Sequence, residues 1–444
     1  MVSSSTKWLS SLVCFRRRLK PEVLDGEHSS HRFGTDHKEP VESSHSISTT
    51  LQQSARTSRE SVAGKKRHDF SPQKEPAVVE RTVSDDTLAT VSVEKGSSLN
   101  QSLLVVAERQ YKLVDDCAYP TLANEREVII RPMAVGLNPI DWMSVDYNFC
   151  LPSFPWITGR ECAGVVDHTG SEVTNVKVGD QVWTSTYYRD RRAGCFQQFV
   201  TVPEHTVLPM PANLNFDQAS TLGVAGLTAA MTLWKWLEVT MPSVSCTAGS
   251  SPPAQATPSR SDEYLLIWGG ATMTGQFATQ IARLSGLKTI CVASETSKSL
   301  CTSLGATHVI TRDGKSPEML LEEVQAIAAD NITCAIDLVG AETASYCLRA
   351  VSTQRPVLFA PLAMMKNDMA IARNVRIETV EMKRFVLDED NAFYAERLNS
   401  LIEAGAVKTP ELDVMEGGLA VVEEGLARIK AGNRNGRKVV VRMS

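Results

Sequence analysis

No two of the ten cysteines stand as a Cys-x-x-Cys pair. That absence removes the spacing from which zinc knots and redox dithiols are built. Single cysteines scattered through 444 residues point to reduced thiols inside a cell rather than to a disulfide framework. Long apolar runs are missing too, since no stretch approaches the ~18 uninterrupted residues of a membrane span. Charge of one sign is scarce: the net charge of −5 pulls the whole molecule toward neither nucleic acid nor an anionic bilayer. Neither is therefore expected as a partner. What remains is ordinary globular material, 43% hydrophobic and 22% charged, long enough for two or three domains.

Residues 1–97 differ from the rest. More than a quarter are Ser or Thr, and charges of both signs alternate without an apolar period. Such a segment cannot bury enough surface to offset its ordering entropy, so a disordered extension is expected. His28, His31, His37, His45 and His68 then belong to a solvated tail. In the first twenty residues Trp8, Leu12, Phe15 and Leu19 share a helical face, Arg16, Arg17, Arg18 and Lys20 add positive charge, and no acid precedes Glu22. The pattern fits a mitochondrial transit peptide and equally fits an upstream extension of that composition. A cytoplasmic location is the expectation, with mitochondrial import through residues 1–20 as its alternative.

From residue 98 short apolar and β-branched runs alternate with turns: Leu103–Val106, Glu127–Pro132, Gly164–Asp167, Gln181–Trp183 and Phe199–Val202. This spacing predicts a compact β-barrel-like domain. Ala219, Leu222, Ala225, Ala229 and Leu233 recur at intervals of three and four, predicting one helix over Asp217–Leu237. A Ser/Pro-rich stretch over 244–261 follows, with the length of a surface insertion. Strands and helices then alternate. Strands are expected at Tyr264–Trp268, Leu287–Ala293, Thr307–Ile310, Cys334–Val339 and Pro356–Ala360. Helices are expected at Gln276–Ser285, Ser297–Leu304, Pro317–Ala329 and Ala344–Val351. That alternation is the signature of an α/β fold with a doubly wound parallel sheet. A further helix, Leu419–Ala431, and a strand, Lys438–Arg442, close the chain.

The loop Gly269-Gly270-Ala271-Thr272-Met273-Thr274-Gly275 lies between a buried strand and a helix. Backbone that approaches a pyrophosphate needs residues without a Cβ, and the helix start offers free N–H groups. The spacing is GGxxxxG rather than GxGxxG, so a tight turn without ligand is the competing account. At the end of the second strand, Ser294, Ser297 and Lys298 could hold a 2′-phosphate, favouring NADPH. Glu295 would repel that phosphate if it pointed inward. The alternative is a solvated turn with Thr296 or Ser297 as helix cap.

Seven segments in order carry a family resemblance: GLNPIDWM (136–143), GRECAGVV (159–166), VGDQVW (178–183), AGCFQQFVTVP (193–203), LGVAGLTAA (222–230), LLIWGGATMTGQFATQIARLSGLKTI (265–290) and LGATHVI (304–310). The chain resembles the medium-chain dehydrogenase/reductase superfamily in its zinc-independent branch of quinone oxidoreductases and fungal trans-acting enoyl reductases. The ending GGLAVVEEGLARIKAGNRNGRKVVVR (417–442) and the Ser/Pro insertion resemble that group too. The resemblance implies a GroES-like catalytic domain over 98–218, a Rossmann domain over 219–362, and a return to the catalytic domain over 363–444. It places Asn138 and Thr228 near a nicotinamide and Thr272, Met273, Thr274 and Gly275, beside Gly269 and Gly270, on the pyrophosphate. Asn138 before Pro139 could instead be a turn residue, and Thr228 a core residue.

Zinc-dependent members of the superfamily carry Cys where Asn138 stands, His where Arg160 stands, and a four-cysteine lobe that this chain lacks. The resemblance thus implies no metal, with Glu161 in an ion pair with a basic neighbour. It implies hydride addition from NADPH to an activated C=C of an enoyl thioester or enone. The negative charge developing on the carbonyl oxygen then needs donors, and the α-carbon needs a proton. Tyr187 and Tyr188 are candidate donors; Arg189, Arg191 and Arg192 could meet a phosphopantetheine or coenzyme A phosphate, or simply be solvated. Many relatives have Lys where this chain has Met143. A polyketide synthase partner, and a monomer or homodimer, are also implied. The alternatives are a quinone oxidoreductase, a non-catalytic NADPH-binding scaffold and, more remotely, a zinc-dependent alcohol dehydrogenase.

Overall fold

Residues 99–242, 262–432 and 436–443 are described by the structure, a computed structural model. The expectations for 1–97, for the helical face within 1–20 and for the Ser/Pro stretch over 244–261 lie outside the described residues. Among the described residues no helix is long and apolar enough to cross a membrane.

The first β strands are β1 (Leu99–Ala107), β2 (Gln110–Ala118), β3 (Glu127–Gly136), β4 (Trp156–Ile157), β5 (Glu161–Thr169), β6 (Gln181–Ser185), β7 (Val200–Pro203) and β8 (Val207–Pro209). They build a three-stranded sheet, β2-β1-β4, and most of a seven-stranded one. The latter runs β15-β16-β3-β5-β6-β8 with β7 also on β3, where β15 is Leu412–Met415 and β16 is Lys438–Arg442. Val440, Val441 and Arg442 of β16 lie antiparallel to Gly136, Val135 and Ala134 of β3, so the chain's end completes the sheet its early strands began. One apolar core lies against it, with Val128, Ile130, Phe196, Val202 and Val441 all 1% exposed or less. Withdrawing such side chains from water stabilises the fold by roughly 1.5–3 kcal/mol each.

Between these halves run β9 (Tyr264–Trp268), β10 (Lys288–Ala293), β11 (His308–Thr311), β12 (Ile332–Asp337), β13 (Val357–Pro361) and β14 (Val375–Ile377). Their order is β11-β10-β9-β12-β13-β14, and every pairing is parallel. Strands of a sheet covered on both faces are apolar throughout rather than alternating; β12 is buried at all six positions. The order reverses between β9 and β12, which is where a doubly wound sheet opens a crevice at its carboxyl edge. The helix Met273–Leu284 starts at that edge.

The single helix expected over Asp217–Leu237 is interrupted. A helical turn at Phe216–Ala219 gives way to a π-helical segment, Leu222–Gly226, then α-helix Leu227–Met231 and a second π segment, Thr232–Trp236. Gly223 explains the first interruption. A Cβ there would stand 2.4 Å from the Thr184 carbonyl oxygen and 2.8 Å from Glu161 Cβ. The next N–H, of Val224, donates to Glu161 Oε2 at 2.6 Å. A side chain from another sheet has captured backbone that periodicity assigns to a regular helix.

Candidate active site

The glycine-rich loop is held from beneath by β10. Gly269 and Gly270 N–H both donate to the Val292 carbonyl oxygen, at 2.9 and 3.1 Å. Gly269 has φ +97°, in the left-handed region, and a Cβ on Gly270 would meet Cys291 Cβ at 2.7 Å. Thr272 caps the following helix: its hydroxyl donates to Gly269 O at 2.8 Å and accepts from Gly275 N at 3.1 Å. Gly275 is equally constrained, since a Cβ there would stand 2.4 Å from Gly269 O. Met273 and Thr274 are partly exposed at the helix start. A bare backbone ridge running into the N-terminus of a twelve-residue helix fits a dinucleotide pyrophosphate.

At the end of β10, the Ser294 hydroxyl lies 2.9 Å from the Ser297 hydroxyl and 3.0 Å from that of Thr296. Ser297 is buried, Ser294 half-buried, and Lys298 and Glu295 are exposed. The structure adds a residue that motif reading missed. Arg312, just past β11, donates its N–H to the Ala293 carbonyl oxygen at 2.9 Å, so it lies beside the end of β10. The signal was available in principle, because a residue ending the third parallel strand flanks the end of the second.

Asn138 sits at the start of the helix Pro139–Asp146 and is 4% exposed. Its Nδ2 donates to Glu161 Oε1 at 2.8 Å and to Gly136 O at 3.2 Å, and its Oδ1 accepts from Lys438 Nζ at 2.7 Å. Lys438 also bonds Glu161 Oε1 at 2.6 Å, with the two side chains 2% and 0% exposed. The basic neighbour expected for Glu161 is therefore Lys438, the first residue of β16. The Asn138 amide is committed to this buried pair. A contact with a nicotinamide would have to use the one lone pair left on its oxygen. The pair is tied to the glycine loop as well, because Gln276 Nε2 donates to both Ala271 O (3.1 Å) and Gly436 O (2.7 Å), two residues before Lys438.

Asp141 completes this floor. It is 0% exposed; Oδ2 accepts the Asn138 N–H at 2.9 Å, while Oδ1 has no hydrogen-bond partner among the described residues. Burial pushes its carboxyl up to about 7 against the opposing pull of that N–H, Arg160 and Lys438. Thr228 is 7% exposed on the segment Leu227–Met231 that packs on the glycine-loop helix.

The two tyrosines part company. Tyr188 is 0% exposed, its hydroxyl lies against Ser144, and burial pushes it up to about 12. It has no face to offer a substrate in this conformation, which removes it as the direct proton donor expected from sequence. Tyr187 is half-buried and lines an open groove of about 680 Å³ with Trp156, Arg189, Arg191, Val386 and Leu387. Arg160 lies over both rings, 5.7 Å from the centroid of Tyr187 and 5.4 Å from that of Tyr188. Arg192 is neutralised by Glu127 at 2.8 Å and by Asp190.

Two family profiles match the chain: the alcohol dehydrogenase GroES-like domain over residues 124–212 and the zinc-binding dehydrogenase family over 274–379. The trans-enoyl reductase himH of Aspergillus japonicus is 28% identical over 327 residues, 72% of this chain and 90% of that protein. The enoyl reductase component lovC of the lovastatin nonaketide synthase, from Aspergillus terreus, is 27% identical over 364 residues, covering 77% and 96%. Among solved structures, a quinone oxidoreductase of Pseudomonas syringae aligns with a TM-score of 0.61 at 20% identity, over 77% of this chain and 99% of its own. At that identity the likeness is one of fold.

The name of the second profile raises the question of zinc. Asn138, Arg160 and Lys438, an amide, a guanidinium and an ammonium, do not fit a divalent cation. Among the described residues no group of three or more His, Cys, Asp or Glu side chains gathers in a metal-binding arrangement.

Proposed function

The chain belongs to the medium-chain dehydrogenase/reductase superfamily, and we propose that within it the protein is an NADPH-dependent reductase of activated C=C bonds in enoyl thioesters. The observation that carries this reading is its likeness to fungal enoyl reductases over nearly their whole length. By the same likeness the natural acyl donor is a polyketide synthase carrying its chain as a thioester.

Gly269, Gly270, Thr272, Met273, Thr274 and Gly275 hold the pyrophosphate. Ser294, Ser297, Lys298 and Arg312 receive the 2′-phosphate, and Thr228 lies toward the nicotinamide. When bound, the cofactor supplies a hydride. Asn138 acts as a positioning residue, joining the floor of the site to the Lys438–Glu161 pair. The groove beside Tyr187 admits the acyl chain along Trp156, Val386 and Leu387, and the Tyr187 phenol supplies the α-proton.

The test is NADPH oxidation measured against a panel of enoyl thioesters, small enones and quinones, with NADH as the comparison cofactor. Turnover of enoyl thioesters with preference for NADPH supports the reading. Turnover of quinones alone assigns the protein to the quinone branch. Cofactor binding without turnover of any acceptor points to a non-catalytic role.

A further inference from the structure

Arg160 is a cation of the site with no carboxylate partner among the described residues. Its Nε donates to the Thr186 carbonyl oxygen at 2.8 Å, and its plane lies over the rings of Tyr187 and Tyr188. Those three contacts fix where the guanidinium points. Of the nearby carboxylates, Glu161 is engaged with Lys438, Asn138 and the Val224 N–H, and Asp141 accepts the Asn138 N–H on Oδ2 while its Oδ1 has no hydrogen-bond partner among the described residues. No carboxylate pairs with Arg160 among the described residues, and its side chain is only half-buried. A half-buried guanidinium held by these contacts and relieved of ion pairing has two Nη groups to present to an incoming oxygen.

Its position suits that oxygen. Tyr187 separates it from the groove that Trp156, Val386 and Leu387 line. Glu161, its neighbour in sequence, joins the network that runs through Lys438, Gly436 and Gln276 to the glycine loop. Arg160 thus lies against Tyr187, which lines the groove, and next in sequence to the residue that the network ties to the glycine loop. Further positive charge gathers here: burial pushes the Cys150 thiol up while Arg160, Arg189 and Lys383 together pull it back, so all three lie around it.

We propose that Arg160 is a catalytic residue whose Nη groups hydrogen-bond the carbonyl oxygen of the α,β-unsaturated acceptor, a role that rests on the reductase reading above. Hydride addition at the β-carbon breaks the C=C π bond and shifts an electron pair to that oxygen, giving an enolate. The preorganised guanidinium stabilises the negative charge as it forms. Return of the electron pair restores C=O while the α-carbon takes a proton from the Tyr187 phenol. The acceptor is thereby reduced by two electrons.

Arg160→Met is expected to lower kcat on an enoyl thioester by roughly 10²–10³-fold, the loss typical of an oxyanion donor, with NADPH affinity unchanged. Guanidine in the assay is expected to restore part of that rate. Arg160→Lys, which keeps the charge and loses the fork, falls between. A readout independent of turnover is 4-nitrophenol, whose phenolate mimics the enolate oxygen. Its pKa falls on binding to the wild type, and the fall disappears in Arg160→Met. The inference is overturned if the wild type turns over and both variants stay within about threefold of it, or if 4-nitrophenol titrates alike on wild type and Arg160→Met. If the wild type reduces no alkene, the reductase reading fails, and the 4-nitrophenol comparison still decides whether Arg160 binds an oxyanion.

Discussion

Lys438 Nζ lies 2.6 Å from Glu161 Oε1, joining the first residue of the last strand to the first residue of β5 in a place almost without water. Asn138 bridges both partners. This pair fastens the chain's end beneath the candidate site and, through Gly436 and Gln276, to the glycine-rich loop.

Removing one partner leaves the other charged and buried. Lys438→Met is expected to cost about 3–5 kcal/mol of stability, whereas the double variant Lys438→Met with Glu161→Gln recovers much of it. Urea denaturation of the single and double variants measures the coupling. Additive losses would show that the pair is not a unit.

Gly270 has room for hydrogen only, with Cys291 2.7 Å from where a Cβ would stand. Gly270→Ala is therefore expected to push the loop outward and weaken NADPH binding by tenfold or more, while Gly314→Ala, at φ +73° where a Cβ meets nothing within 4 Å, strains its own turn but leaves NADPH binding unchanged. Quenching of tryptophan fluorescence by added NADPH reads both. Equal affinities would remove the loop from the cofactor site.

Lys298 and Arg312 flank the end of β10 without an acidic partner among the described residues. Replacing either by Ala is expected to raise the Kd for NADPH about tenfold, the worth of one charge-assisted hydrogen bond, and to leave NADH untouched. Isothermal titration with both nucleotides tests this. Equal loss for the two would place these side chains away from the 2′-phosphate.

The sheet of β9–β13 was legible in sequence because parallel strands buried on both faces are written as unbroken apolar runs, as in Tyr264–Trp268. The helix after the glycine loop was legible as a helix but not at its start, which sequence put at Gln276 and which the Thr272 cap sets at Met273. Tertiary contacts were not. Nothing local announces that Glu161 will take the Val224 N–H and open the expected helix into a π segment at Leu222–Gly226. Nor does an isolated Lys438 in an apolar terminal strand declare that it will reach residues 138 and 161. Tyr187 and Tyr188 are indistinguishable as neighbours in sequence, yet Ser144 and burial withdraw one of them from solvent.

Asp141 supplies a prediction in pH. Burial pushes its carboxyl up to about 7, so between the usual carboxylate range and that value the folded chain retains a proton the unfolded chain has released. Stability attributable to Asp141 is therefore full at low pH and is lost as pH rises toward 7. Asp141→Asn keeps an acceptor for the Asn138 N–H and removes the titration. Its melting temperature relative to wild type is expected to rise across pH 4–7 and to level off above that window. A difference independent of pH would contradict the assignment.

The most direct test of the whole account follows the hydride itself. The protein is incubated with an enoyl thioester and NADPH deuterated at C4 of the nicotinamide, on either face, and the product is read by mass spectrometry and NMR. The account predicts one deuterium at the β-carbon, from one face of the cofactor only, with the α-hydrogen drawn from solvent. Product without deuterium, or no reduced thioester while the cofactor is still bound, would contradict it.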